Sequence, residues 1–280
     1  MEMMFARTAR NMLRIVMMIV ILNICRETMA DVDENETSID YRFQNLTSFS
    51  TTDLPQDAAS DIVYLSLRGN DLERIHNDLS QLPNLERLIL SENPQLTFPF
   101  DGSPFLISRS LIDLDCESCD VKVIYSGSLR RLPLLETLRL PNNRIRMIGK
   151  RAFRHNPNMQ VLDLRQNKLT TLPSTILVGL SKMKQLNFSD NRDLAPQKDQ
   201  PFLESNSLKV LKCNNCGFST TQVVTFSKLY NLKELHLAGN RLLVAPCLLP
   251  FPASLRKNPM KIITDCKRCM KRKFLPDNIK

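Results

Sequence analysis

The chain has 280 residues, enough for one large domain or two small ones, and 42% of them are hydrophobic, so a core can form. Trp is absent and only 7 residues are Gly, which argues against Gly-rich phosphate loops and Trp-anchored sandwiches. The formal net charge is +9 but unevenly placed. Residues 31–60 hold one basic side chain against seven acidic ones, whereas residues 241–280 hold ten Lys/Arg against Asp265 and Asp277.

The first thirty residues read as a processing signal. Arg7, Arg10 and Arg14 precede a largely apolar run, Ile15 to Cys25, and Thr28-Met29-Ala30 places small residues ahead of an acidic stretch. A spanning helix needs roughly 20 apolar residues, so this shorter run is expected to be a signal peptide cleaved after Ala30. No later run reaches spanning length, and a soluble, extracellular protein without a membrane span is expected. Asn35-Glu36-Thr37, Asn45-Leu46-Thr47 and Asn187-Phe188-Ser189 are acceptor sequons for N-linked glycan. Residues 31–53 form an acidic flank, residues 54–243 a repetitive domain, and residues 244–280 a basic, cysteine-containing cap.

The repetition begins at Ile62. Clear copies read Leu85-x-x-Leu88-x-Leu90-x-x-Asn93, Leu135-x-x-Leu138-x-Leu140-x-x-Asn143, Met159-x-x-Leu162-x-Leu164-x-x-Asn167 and Leu232-x-x-Leu235-x-Leu237-x-x-Asn240. Looser copies start at Ile62, Leu111, Met183 and Leu208. We number these eight units one to eight in chain order; their starts are 23 to 26 residues apart. Within each Leu-x-Leu, side chains alternate across a strand, so leucines enter a core and the x residues face out. The Asn turns the chain and its amide satisfies backbone groups that would otherwise be orphaned. One unit cannot bury its own apolar face; stacked units can. Eight parallel strands at about 4.8 Å spacing would give a sheet roughly 38 Å along.

The motif resembles that of extracellular leucine-rich-repeat proteins, the class that includes Toll-type ectodomains, Slit-like repeats and secreted immune-recognition repeats. The resemblance covers about Leu54 to Asn240. It implies an α/β fold, a right-handed horseshoe solenoid with a curved parallel sheet on its concave face and about eight repeats of period 24. It also implies ligand binding on that face or an edge, without catalysis. No Cys lies between Asp31 and Leu114, so the cysteine-rich N-terminal cap usual in such proteins is missing.

Cys116-x-x-Cys119 and Cys213-x-x-Cys216 occupy the third leucine and the Asn positions of their repeats. Four strands, roughly 19 Å, separate the two pairs, too far for a shared zinc, so no metal and no cofactor is expected. Either the cysteines are small buried groups and turn residues, or each pair closes a local disulfide. Cys247, Cys266 and Cys269 cannot all pair among themselves, which raises the expectation of a disulfide-linked oligomer.

The outward positions carry the candidate ligand-binding residues: Tyr64, Arg87, Asp113, Asp115, Glu117, Arg139, Asp163, Arg165, Lys212 and His236. They form either a solvated mixed-charge face or a patch for a charged partner, with an acidic group in repeat three. Asn187 projects from the same face, and a glycan there would push ligands toward an edge or other repeats. The tail residues Lys267, Arg268, Lys271, Arg272 and Lys273 are either solvated or drawn to sulfated glycan. His76, His155 and His236 fall in separate repeats, and no nucleophile elbow, metal-binding motif or phosphate loop is present. No enzyme and no nucleic-acid partner is expected. The expected function is an extracellular protein-binding module, in innate-immune recognition or in cell-surface signalling and adhesion. The alternative is a matrix or glycan-associated structural protein that uses the basic tail.

Overall fold

A computed structural model describes residues 37–54, 59–76, 78–219, 222–242 and 260–265. The signal segment, Asn35, Cys247, Cys266, Cys269 and the basic tail residues lie outside the described residues. In chain order the strands are β1 (Thr37–Asp40), β2 (Ser48–Phe49), β3 (Ile62–Ser66), β4 (Arg74–Ile75), β5 (Arg87–Ile89), β6 (Asp113–Asp115), β7 (Val123–Ile124), β8 (Thr137–Arg139), β9 (Met147–Ile148), β10 (Val161–Asp163), β11 (Gln185–Asn187), β12 (Val210–Lys212), β13 (Glu234–His236) and β14 (Lys261–Ile263).

Ten of these form one sheet in the order β1-β3-β5-β6-β8-β10-β11-β12-β13-β14. Every neighbouring pair is parallel. Register holds the middle leucines in one line: Leu65, Leu88, Leu114, Leu138, Leu162, Leu186, Leu211 and Leu235 are direct neighbours from strand to strand. All eight are wholly buried. A parallel sheet needs a crossover between strands, and each repeat supplies one that wraps behind the leucines. These return segments contain short 3-10 turns such as Ser174–Leu177 and Val223–Phe226. They also form the small two-stranded pairs β2-β4 and β7-β9.

The sheet reaches beyond the span 54–243 at both ends. β1 pairs with β3 and buries Ile39, and β14 pairs with β13 after the Asn258-Pro259 step. A strand with a single inward apolar side chain between polar neighbours covers the end of a stacked core, and the repeat motif does not reveal it.

The Asn ladder explains the conserved spacing within the chain. Asn167 Nδ2 donates to the carbonyls of Leu140 and Leu164 at 2.9 and 3.0 Å, and its Oδ1 accepts from Ile145 N at 2.9 Å. Asn93 and Asn191 make the same three bonds to their own neighbours. In repeats three and seven the ladder is replaced by disulfides, Cys116–Cys119 and Cys213–Cys216, with Cα–Cα distances of 5.8 and 5.6 Å. A disulfide sulfur cannot supply the lost Asn carbonyl acceptor, and the chain has adjusted. Leu96 N and Leu194 N, the amides an Asn at 119 or 216 would have received, donate instead to Asn93 O and Asn191 O of their own repeats. Both preceding repeats carry one extra residue after the Asn, in Asn93-Pro94-Gln95-Leu96 and Asn191-Arg192-Asp193-Leu194, which makes that local turn feasible.

The echo between the two halves extends further. Pro104-Phe105-Leu106-Ile107-Ser108-Arg109-Ser110 matches Pro201-Phe202-Leu203-Glu204-Ser205-Asn206-Ser207. In both, the first serine hydroxyl accepts from two following backbone amides, those of Ser110 and Leu111 or of Ser207 and Leu208. The phenylalanines of these insertions fill the wider coil. Phe98 and Phe105 stack at 4.3 Å, and Phe202 meets Phe218 edge-on at 5.1 Å.

Candidate binding face

Two rows of side chains form the outer face of the sheet. One runs Tyr64, Arg87, Asp113, Thr137, Val161, Gln185, Val210 and Glu234; the other runs Ser66, Ile89, Asp115, Arg139, Asp163, Asn187, Lys212 and His236. Of the ten candidates named from the sequence, all but Glu117 and Arg165 therefore lie directly on the strands, and those two follow β6 and β10. Thr137, Val161, Gln185 and Val210 share the face but carry no charge to draw attention to them.

The acidic group of repeat three is already engaged. Asp113 accepts from Arg139 at 2.5 Å and has Arg87 Nε at 3.7 Å on its other side. Glu117 has Arg165 at 3.7 Å and accepts from Asn142 at 3.2 Å. Arg165 also approaches Asp163 at 3.8 Å. Arg87, Asp113 and Arg139 come from the neighbouring strands β5, β6 and β8, so the register itself creates their pairs, whereas Arg165 reaches across repeat four to Glu117. Arg87 and Arg139 remain 54% and 41% exposed, so each pair contributes at most about 1 kcal/mol to stability. What they supply is a fixed pattern of charge.

A second role emerges for the acidic positions. Asp115 Oδ1 accepts from Glu117 N at 2.9 Å, Asp163 Oδ1 from Arg165 N at 3.0 Å, and Asn187 Oδ1 from Ser189 N at 3.0 Å. Asp40 does the same for Arg42 N at 3.0 Å. These Asx turns close the chain as it leaves β1, β6, β10 and β11. A left-handed residue sits just before the Asn position whether or not an Asx turn precedes it: Phe43, Gly69, Glu92, Ser118, Asn142, Gln166, Asp190, Asn215 and Gly239 all have φ between 50° and 69°. Most of these are not glycine, so the sequence did not flag them. Where an Asn follows a non-glycine residue, as after Glu92, Asn142, Gln166 and Asp190, its bonds offset the backbone strain.

Electrostatics follow burial. Burial pushes the Asp115 carboxyl above the usual carboxylate range, against the pull of its bond to Glu117 N and of Arg139. Burial likewise pushes the Tyr64 phenol up. For Arg139, desolvation acts to lower the value, but the bond to Asp113 together with the charges of Asp113, Asp115 and Asp163 outweighs it, and the guanidinium is raised. His236 Nε2 lies 3.3 Å from Glu234 Oε2. Among the described residues no group of three or more His, Cys, Asp or Glu is arranged to hold a metal ion, and no helix is long and apolar enough to cross a membrane.

Other contacts escaped the sequence. Arg68 pairs with Glu92 at 2.7 Å across repeats one and two, and Arg42 pairs with Asp40 at 2.6 Å on the end strand. The first follows from stacking register; the second is local, between residues two apart in the chain. Asn45 is exposed, with φ of 54°. Asn187 is half-buried, and in its sequon Phe188 and Ser189 are buried.

With this geometry established, the fold is clear: the chain forms a leucine-rich-repeat solenoid. Residues 133–192 match the leucine-rich-repeat family. Among curated relatives, human oligodendrocyte-myelin glycoprotein is 26% identical over 74% of this chain and 44% of its own length. Chicken keratocan is 37% identical over 61% of this chain and 50% of its own. Human podocan-like protein 1 is 27% identical over 70% of this chain and 43% of its own. The chain spans less than half the length of the first curated relatives it matches. The solved complex of TLR13 with a single-stranded RNA superposes with a TM-score of 0.60 at 19% identity, covering 81% of this chain and 36% of that one. At that identity the likeness is one of fold. The chain is similar to extracellular leucine-rich-repeat proteins.

Proposed function

We propose that this chain is a secreted protein-binding module that engages an extracellular protein partner through the outer face of repeats two to five. The observation that carries the reading is the Arg87–Asp113–Arg139 array, with Arg165 and Glu117 beside it, set on parallel strands. Fixed alternating charges of this kind discriminate between partners and steer their approach more than they supply affinity. Arg87, Asp113 and Arg139 are held by strands without loop flexibility, so little ordering is lost on binding. Similarity to extracellular leucine-rich-repeat proteins supports the compartment.

The test uses the secreted protein, presented bivalently, against an array of extracellular domains. For any partner found, charge reversal at Asp113 and Arg139 is compared with charge reversal at Arg130 and Arg131, which lie in the return segment. Loss of at least tenfold in affinity with the first pair alone supports the reading. Equal retention by both pairs, or loss only with the return-segment pair, moves the binding site off the sheet and sinks it.

A further inference from the structure

The row of residues at the entry to the strands changes sign along the solenoid. It runs Glu86, Ile112, Glu136, Gln160, Lys184, Lys209, Lys233, one residue per repeat. Backbone bonds stack its last members directly: Lys209 N donates to Lys184 O at 2.9 Å, and Lys233 N to Lys209 O at 2.8 Å. Three ammonium-bearing side chains thus rise from adjacent strands about 4.8 Å apart. The row's acids do not reach them. Gln160 stands between, donating to Glu136 at 2.6 Å and accepting from Lys184 at 2.5 Å. Nearby Lys182 is held by the neutral Asn158 Oδ1 at 2.7 Å. Glu234, next to Lys233, turns to His236. Among the described residues none of these four lysines forms an ion pair, whereas Arg87, Arg139 and Arg165 on the sheet face each do.

Like charges in direct register repel one another, and nothing described in this protein offsets them. Beside them lies a hollow of about 370 Å³ whose lining includes Lys182, Lys184, Lys209, Asn206 and Ser207 and no carboxylate. We propose that this lysine ladder is a binding site for a linear sulfated polysaccharide, lying across the strands with one anionic group at each step. Lysine presents a compact charge suited to repeated sulfates, without the planar fork that reads bases. No aromatic ring lines the hollow, so the stacking platforms that hold single-stranded nucleic acid are missing from it. The site is distinct from the charged sheet face and from the basic tail.

The experiment measures affinity of the secreted full-length chain for a heparin dodecasaccharide over a salt series. Three proteins are compared: wild type, the triple variant Lys184→Gln, Lys209→Gln, Lys233→Gln, and the tail variant Lys271→Gln, Arg272→Gln, Lys273→Gln. The ladder variant is expected to bind at least tenfold more weakly, with the slope of log Kd against log salt reduced by about three, one released counterion per lost charge. The tail variant should keep the wild-type slope, and a Lys→Arg triple should restore binding, which separates charge loss from misfolding. An unchanged slope in the ladder variant, loss confined to the tail variant, or no binding by wild type overturns the assignment. Equal, ladder-dependent affinity for a single-stranded RNA of matched charge would replace the polysaccharide with a nucleic acid. None of these outcomes depends on a protein partner at the sheet face.

Discussion

Asp115 combines a backbone bond, a neighbouring guanidinium and partial burial, and these do not point the same way. Its carboxyl is raised because desolvation outweighs the bond from Glu117 N and the attraction of Arg139. A raised carboxyl means the folded chain holds that proton at pH values where the unfolded chain has lost it. The ionised group therefore costs stability above the raised value, and the cost fades as pH falls toward the ordinary carboxylate range. Asp115→Asn keeps an oxygen to accept from Glu117 N and removes the buried charge. The variant should melt higher than wild type at pH 7, and the gain should shrink steadily as the scan is repeated toward pH 4. A lower midpoint at pH 7 would show that the Arg139 attraction, not burial, governs this site. The sequence marked Asp115 as outward and acidic, which it is. Its neighbour in register, Arg139, became visible only when the strands were stacked.

At the scale of the repeat, the Asn is worth more than any surface ion pair. Asn167 is 7% exposed and joins the backbones of repeats four and five through Leu140 O, Leu164 O and Ile145 N. Asn167→Ala leaves Leu140 O and Ile145 N without their partner in a buried turn, while Leu164 O keeps its bond from Asn191 Nδ2 at 3.0 Å; the loss should cost about 2–4 kcal/mol. Urea unfolding followed by tyrosine fluorescence or circular dichroism measures this; a loss below about 0.5 kcal/mol would mean water replaces the side chain. Repeats three and seven show how the chain manages without that Asn. Their cysteines were readable from sequence as occupants of the third leucine and Asn positions, and that register excluded a metal shared between them. Whether each pair closed on itself was not readable, because it depends on how the turn folds between strand and crossover. Spacing alone also failed to explain the extra residue after Asn93 and Asn191. Its purpose appears only in the local bonds of Leu96 N and Leu194 N.

Over the whole molecule, charge is partitioned by height along the solenoid. The lower and middle repeats carry interlocked Arg–carboxylate pairs, and the upper repeats carry lysines in register. Asn187 sits between the two regions on the outer face, with Oδ1 committed to Ser189 N. Its Nδ2 has no partner among the described residues and is available to carry a glycan. Ser189 is buried, with its hydroxyl accepting from Asn214 N at 3.2 Å, so modification must precede closure of repeats six and seven. We expect Asn187 and the exposed Asn45 both to be glycosylated in the secreted protein. Peptide mass spectrometry with and without glycosidase decides the matter, and an unmodified Asn187 peptide would show that repeat six folds before the transferase acts. Asn187→Gln should not abolish binding at repeats two to five, because the glycan would project from β11, just outside that face, next to its last strand β10.

The sequence by itself determined the parallel sheet, the count of motif-bearing turns and which side chains face out. Leucine periodicity reports burial directly, and one repeat's geometry must be compatible with the next. It also placed most of the face candidates, since outward position is a matter of alternation along one strand. Tertiary structure alone decided which of those residues touch. Arg139 reaches Asp113 from 26 positions away because two strands lie side by side in a particular register, and Lys184, Lys209 and Lys233 become neighbours for the same reason. Charge at one position is a local property of the chain; a pattern of charge is a property of the stacking.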